Sequence, residues 1–138
     1  MGKKILIFGL SGAGKTTFAN KLVQQSNYPI DHYEADKVRE AFNDWDFSLE
    51  GRERQSDRMN ALANLSKLNN KHCILDFINP YEKNRSGYDI TVFMNTIYKS
   101  AYDDTNKIFE IPKNANYVVD SFDEELNLDI IRKICNEL

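Results

Sequence analysis

Residues 4–8, KILIF, are an uninterrupted apolar run that stops at a glycine, the pattern of a strand buried on both faces of a parallel sheet. A helix is expected from residue 15 to about residue 25, and a weaker alternation over 30–34 predicts a second strand. Residues 37–42 suit a short helix that ends before the aromatic loop Asn43-Asp44-Trp45-Asp46-Phe47. Ser48 then stands where the next helix needs a cap. Over residues 49–69, Met59, Leu62, Ala63 and Leu65 recur at helical spacing, and Arg52 and Gln55 extend the Met59 and Leu62 stripe toward the N-terminus. Those two polar side chains are therefore expected to face inward, toward a cleft.

Two further strands are predicted at 72–77 and 88–94, with Asn79-Pro80 and Ser86-Gly87 marking turns, and a short fifth strand at 117–119. The last helix opens with Ser121 and Glu124 at capping-box spacing and carries Leu126, Ile130, Ile131, Ile134 and Leu138 on its buried side. Strands alternating with helices predict an α/β fold, a three-layer α/β/α sandwich around a parallel five-stranded sheet. With no repeat, linker or low-complexity stretch, residues 1–138 are expected to form a single domain.

Composition narrows the classes of function. Hydrophobic residues at 41% and charged residues at 28% exclude a disordered chain. The net charge of −3, from 18 basic and 21 acidic residues, offers no field for a long nucleic acid, whereas a local arginine cluster can still hold a small anion. Cys73 and Cys135 lie inside apolar runs at unrelated spacing and read as buried thiols of a reducing compartment, not as metal ligands. The apolar run near the N-terminus is too short for a secretion signal or a membrane span, so a cytoplasmic location without a membrane partner is expected.

The chemistry begins at Gly9-Leu10-Ser11-Gly12-Ala13-Gly14-Lys15-Thr16, which matches G-x-x-x-x-G-K-[ST] between a predicted strand and a predicted helix. In that context the glycines let backbone amides converge on phosphate oxygens and the helix adds its positive end. Lys15 reaches the β- and γ-phosphates, and Thr16 ligates magnesium. The expected fold is thus that of the P-loop NTPases. Mg·ATP (ATP with Mg2+) is the expected cofactor, held by Gly9, Ser11, Gly12, Ala13, Gly14, Lys15, Thr16 and Thr17. Asp76 ends the third strand, where a carboxylate either holds the magnesium shell or simply closes the strand at a turn. On their own, Arg39 and Arg52 read as solvated helix charges and Phe47 and Trp45 as core aromatics. His32 and His72 show no partner pattern and read as structural.

Several stretches beyond the loop resemble one family of P-loop kinases, the adenylylsulfate kinases, which phosphorylate the 3′-hydroxyl of adenosine 5′-phosphosulfate. The resemblance covers about residues 3–94: GLSGAGKTT at 9–17, Asp36-Lys37-Val38-Arg39, Phe47-Ser48 followed by Arg52, and Phe77-Ile78-Asn79-Pro80-Tyr81 with Arg85. It implies that Asp36 takes the acceptor hydroxyl's proton or helps hold magnesium, alongside Thr16 and Asp76. Lys15 is the second catalytic residue. It implies too that Arg39 and Arg52 grip the phosphosulfate, that Phe47 stacks on the adenine, and that Gln55, Phe77 and Ile78 complete the pocket for an anionic nucleotide. Family members are often dimers, which makes a homodimer the expectation by resemblance.

The chain also departs from the family. Gln55 stands where the family has asparagine, and Asp76 where it has a small residue, which points to magnesium held more as in other P-loop kinases. Residues 96–109 are much shorter than the family's arginine-rich lid, and neither the lid arginine nor a second stacking phenylalanine has a counterpart. Lys99 or Lys107 is left as the candidate replacement cation, or as a solvated surface charge. Other readings of the same residues are a kinase for another small hydroxyl or phosphate acceptor, such as a nucleotide, a sugar acid or a nucleic-acid 5′ end, and a protein that senses ATP without turning it over.

Overall fold

The computed structural model describes residues 2–138. Among them, β1 (Lys4–Phe8), β2 (Ile30–Glu34), β3 (His72–Phe77), β4 (Ile90–Met94) and β5 (Tyr117–Val119) pair in parallel in the order β2-β3-β1-β4-β5. The helices are α1 (Lys15–Gln25), α2 (Ala35–Phe42), α3 (Leu49–Leu68), α4 (Asp103–Ile108) and α5 (Glu124–Asn136). This is the expected three-layer architecture of a P-loop NTPase fold, and β1 explains why its sequence shows no polar alternation. Ile5 and Ile7 point into a core with Phe18, Leu22, Ile131 and Ile134 of α1 and α5. Leu6 and Phe8 point into a second core with Val38, Met59 and Ala63 of α2 and α3. Each fully buried aliphatic side chain of this kind contributes roughly 1.5–3 kcal/mol.

Most predicted elements form within a residue or two of the expected bounds, and the differences have local causes. α2 starts at Ala35 rather than at residue 37, because β2 runs into it without a loop, and Asp36 thereby falls in its first turn. β4 starts at Ile90 rather than at residue 88, because Asp89 ties off the ladder: its Oδ2 accepts from the Lys4 amide at 2.8 Å and its own amide donates to the Lys4 carbonyl at 2.9 Å.

Ser48 caps α3 as expected, accepting from the Gly51 amide at 3.2 Å. Leu65, however, is exposed, since the inward ridge through Met59 and Ala63 continues to the fully buried Ser66. α5 lacks the expected Ser121–Glu124 capping box. Asp123 is its cap and accepts from the Leu126 amide at 3.0 Å, while Ser121 Oγ accepts from the Asp123 amide. Leu126, in that first turn, is exposed, and the buried side of the helix begins at Ile130 and Ile131. Cys73 is fully buried, which pushes its thiol up to about 11, whereas Cys135 is only half-buried. Among the described residues no helix is long and apolar enough to cross a membrane.

Candidate active site

The loop between β1 and α1 sits beyond the carboxyl ends of the strands, where ligands of open parallel sheets bind. Its backbone demands glycine at two points. Gly9 has φ +153° with its Cα against β4, so a methyl group would come within 2.8 Å of the Met94 carbonyl oxygen. Gly14, at φ +91°, is the residue before α1 and carries no side-chain cap, which leaves the helix's first amides unshared. Thr96 Oγ1 donates to the Ala13 carbonyl at 2.7 Å and so anchors the loop to the segment after β4. Lys15 Nζ donates to the Leu10 carbonyl at 2.9 Å. Burial lowers the pKa of this ammonium, with Asp76 and Asp36 opposing the shift. A half-buried cation next to unshared amides at a helix N-terminus is an arrangement that binds phosphate.

Thr16 follows, and its Oγ1 donates to Asp76 Oδ2 at 2.8 Å, the same oxygen that His32 Nε2 meets at 3.0 Å. Glu34 Oε1 lies 3.5 Å from the Thr16 hydroxyl. Strand register causes this convergence, since Glu34 and Asp76 are paired neighbours at the ends of β2 and β3. The oxygen donors of Thr16 and Asp76, with Glu34 beside them, fit magnesium, which takes one or two carboxylates and leaves its other positions to phosphate and water. Asp36 lines the same cleft from the exposed first turn of α2, and Glu34, not Asp36, is the second acidic side chain near Thr16 after Asp76. Neither His32 nor Glu34 was among the expected site residues. Their period-two spacing on β2 was visible, but the register that brings them to Asp76 was not.

The cleft extends from the phosphate loop to a second wall and encloses about 720 Å³. Ser11, Gly12, Gly14, Lys15, Thr16 and Thr17 line it on one side; Gly9 and Ala13 support the loop from behind and do not line it. Arg39, Phe47, Arg52, Gln55, Phe77 and Ile78 all line the other side. Arg39 and Arg52 are only 4% and 7% exposed, so they are not solvated helix charges. Arg39 Nη1 donates to the carbonyls of Asp44 and Asp46 at 3.0 and 3.1 Å, and Arg52 Nε donates to the Phe47 carbonyl at 2.9 Å. Both guanidinium groups lie by the Phe47 ring, with their carbons 4.3 and 5.3 Å from its centroid.

The aromatic loop is held in turn by acid–base pairs, Asp44 with Arg54 and Arg58, and Asp46 with Arg54. Its rings are not core aromatics: Trp45 is 50% and Phe47 43% exposed, and both face the cleft. Gln55 faces inward as expected, but its amide is already bound, donating to the Ala35 carbonyl at 2.9 Å and accepting from Arg58 at 3.0 Å. It therefore ties α3 to the start of α2, with one of its two Nε2 donors used on the Ala35 carbonyl. His72 is structural, accepting the Lys3 amide at 3.0 Å on Nδ1.

Residues 96–109 bring no cation to the cleft, since Lys99 and Lys107 are exposed and do not line it. Instead the unpredicted helix α4 contributes Asp104 and Thr105, with Tyr102 before it. Acidic residues in its first turn and Lys107 in its last are the one sequence signal for so short a helix.

The model of the Adenylylsulphate kinase family matches residues 1–107 of this chain. A curated protein of Pseudomonas aeruginosa, a probable adenylyl-sulfate kinase, is 38% identical over 81 residues. That stretch is 56% of this chain and only 38% of the relative, so the chain matches well under half of that protein's length. Among solved structures, the Mycobacterium tuberculosis APS kinase CysC in complex with AMPPNP and APS has a TM-score of 0.74 at 18% identity, covering 99% of this chain and 98% of that one. The hexameric APS kinase from Thiobacillus denitrificans has a TM-score of 0.75 at 23% identity, covering 99% of this chain and 29% of that one. At such identities these structures speak for the fold.

Proposed function

Because the chain belongs to the adenylylsulphate kinase family, we propose that it transfers the γ-phosphoryl group of Mg·ATP to the 3′-hydroxyl of adenosine 5′-phosphosulfate. The observation that supports this reading best is the second wall of the cleft. Two buried arginines lie by a half-exposed phenylalanine in the same cleft as a phosphate loop, a pairing suited to a ligand that is both aromatic and anionic.

On this reading the loop amides and Lys15 hold the β- and γ-phosphates of ATP. Thr16 and Asp76, with Asp36 nearby, would hold magnesium, which would supply neutralisation of the phosphate charge. Arg39 and Arg52 hold the phosphosulfate, Phe47 stacks on the adenine, and Phe77 and Ile78 form the apolar floor. Asp36 takes the proton of the 3′-hydroxyl as that oxygen bonds to the γ-phosphorus and the bond from phosphorus to the ADP oxygen breaks. Positioning and charge neutralisation do most of the work in such a transfer, which suits a site made of amides and guanidinium groups.

The test is a screen of acceptors with γ-labelled ATP and magnesium, including adenosine 5′-phosphosulfate, AMP and small hydroxy acids. Label is expected on adenosine 5′-phosphosulfate, and Arg52→Ala should raise its KM while leaving that for ATP nearly unchanged. Label on a different acceptor, or ATP consumed with no labelled acceptor, overturns the assignment. Self-association belongs to the same proposal and is supported by the hexameric relative. Light scattering should give a mass above one chain, and a monomer at every concentration would remove that part.

A further inference from the structure

α4 and its flanks form a fixed wall. Ser100 donates to Asn106 Oδ1 through its amide at 2.8 Å and its hydroxyl at 2.9 Å, and Asn106 Nδ2 donates back to the Ser100 carbonyl at 3.0 Å. Beyond the helix, Phe109 stacks on Phe93 with centroids 6.0 Å apart, and the Glu110 amide donates to the Pro80 carbonyl at 2.9 Å. From this wall Thr105, itself buried, accepts Arg52 Nη2 on Oγ1 at 3.2 Å. Asp104 Oδ2 lies 3.9 Å from the same nitrogen, on a side chain 74% exposed.

Arg52 is therefore held at two points 53 residues apart in one case and five in the other, by Thr105 and by the Phe47 carbonyl. Its Nη1 has no protein acceptor among the described residues. A planar guanidinium pinned on two nitrogens can present its remaining N–H groups in only one direction. The neighbouring carboxylate lowers the positive potential there and repels an incoming anion in proportion to the anion's charge. A terminal sulfate carries one negative charge, whereas a terminal phosphate at neutral pH carries nearer two.

We propose that α4 sets the specificity of the Arg52 subsite: Thr105 is a positioning residue that aims the guanidinium, and Asp104 biases the subsite toward a terminal monoanion over a dianion. The inference rests on the reading of this wall as the acceptor side. It makes the segment 96–109 part of substrate selection although it carries no cation into the cleft. ADP and adenosine 5′-phosphosulfate are a matched pair for the test, since they differ in having phosphate or sulfate at the terminus. Asp104 thus disfavours a nucleoside diphosphate in the acceptor position.

With the phosphate loop saturated by Mg·AMPPNP, both ligands are titrated into the parent, Thr105→Val, Thr105→Ser, Asp104→Asn and Arg52→Ala proteins. Thr105→Val should weaken adenosine 5′-phosphosulfate roughly ten- to a hundredfold, the effect of one lost hydrogen bond to a charged group, and Thr105→Ser should restore it. In steady-state kinetics Thr105→Val should raise the acceptor KM with kcat and the ATP KM within about twofold. Asp104→Asn should tighten ADP more than adenosine 5′-phosphosulfate, narrowing their ratio by about two- to fivefold, as expected for a partly exposed charge. If Arg52→Ala weakens the acceptor while the Thr105 and Asp104 variants match the parent, the inference fails and the proposed function stands. If the parent does not bind adenosine 5′-phosphosulfate, the proposed substrate fails, and Arg52's reactivity toward phenylglyoxal, which needs no acceptor, decides the role of α4. Thr105→Val should then speed modification of Arg52 several-fold while Thr105→Ser does not, and equal rates would overturn the positioning role.

Discussion

The two walls of the cleft are built by different means. On the phosphate-loop side, backbone amides and carbonyls of a run of eight residues, Gly9 to Thr16, dominate, joined by the side chains of Lys15 and Thr16, with a glycine at position 9 where a side chain would collide with β4. On the opposite side, the contacts are side chains drawn from α2, the aromatic loop, α3 and α4, and both arginines use part of their donor capacity on protein carbonyls. The first wall is mostly local and, on the proposed function, bears on a feature every nucleoside triphosphate shares. The second is assembled over long sequence distances and, on the same proposal, bears on what distinguishes one acceptor from another. A substitution on the first should therefore remove turnover with any acceptor, and one on the second should change which acceptor is used.

The largest effect is expected at Lys15. Lys15→Ala should abolish phosphoryl transfer with every acceptor and leave thermal unfolding near the parent's, because the ammonium's one protein hydrogen bond is to the Leu10 carbonyl. A folded variant that turned over at the parent rate would end the division of labour between the walls. Next comes Asp36, which lines the cleft between the two walls. Asp36→Asn should lower kcat by roughly a hundred- to ten-thousand-fold with little change in ATP affinity, the range for a lost general base. An unchanged kcat would move that role to another carboxylate, with Asp76 the next candidate because it already holds Thr16.

Legibility in the sequence follows the same division. The phosphate loop, its flanking strand and helix, and the strand-end position of Asp76 could all be read because each depends on residues close in the chain. The inward turn of Arg52 and Gln55 could be read as well, since they share a helical stripe with Met59. His32 and Glu34 could not, because their meeting with Asp76 and Thr16 depends on how β2 registers against β3. α4 escaped notice because six residues with little apolar character carry almost no periodic signal, and its partner Arg52 lies in a different element. The cap of α5 was misplaced because Ser121 and Asp123 both suit a cap, and only geometry separates them.

A smaller effect is expected at Phe47, whose ring in the aromatic loop lies by both guanidinium groups. Phe47→Ala should weaken adenosine 5′-phosphosulfate by about 1–3 kcal/mol, the usual loss when a base-stacking aromatic is truncated, and leave ATP binding unchanged. Calorimetry with each ligand separates the two. An equal loss for ATP would mean that the walls do not act independently.

The smallest effect concerns what holds the second wall together. Asp44 bonds Arg54 and Arg58, which keeps its carboxyl far below the usual value of 3.8, and Asp46, bonded by Ser48 and Arg54, is held down to about 2. A carboxylate whose folded pKa is depressed contributes stability that is complete above its unfolded value and is lost as pH falls through the folded value. Asp44→Asn should therefore lower stability at pH 7, and the gap from the parent should narrow as the pH falls below about 4, where the unfolded chain's carboxylate takes up a proton and the folded one still resists it. Urea unfolding at pH 7, 4 and 2.5 measures this. A gap of constant size would show that the pairs with Arg54 and Arg58 add nothing to the fold. Because the Asp44 carbonyl also receives Arg39, the same variant should raise the acceptor's KM modestly, by less than Phe47→Ala, and leave the ATP KM alone. That order of effects is what the contrast between the walls requires: the ion pairs act on the acceptor only through the loop they hold, and the phosphate loop, anchored to the segment after β4, does not share them.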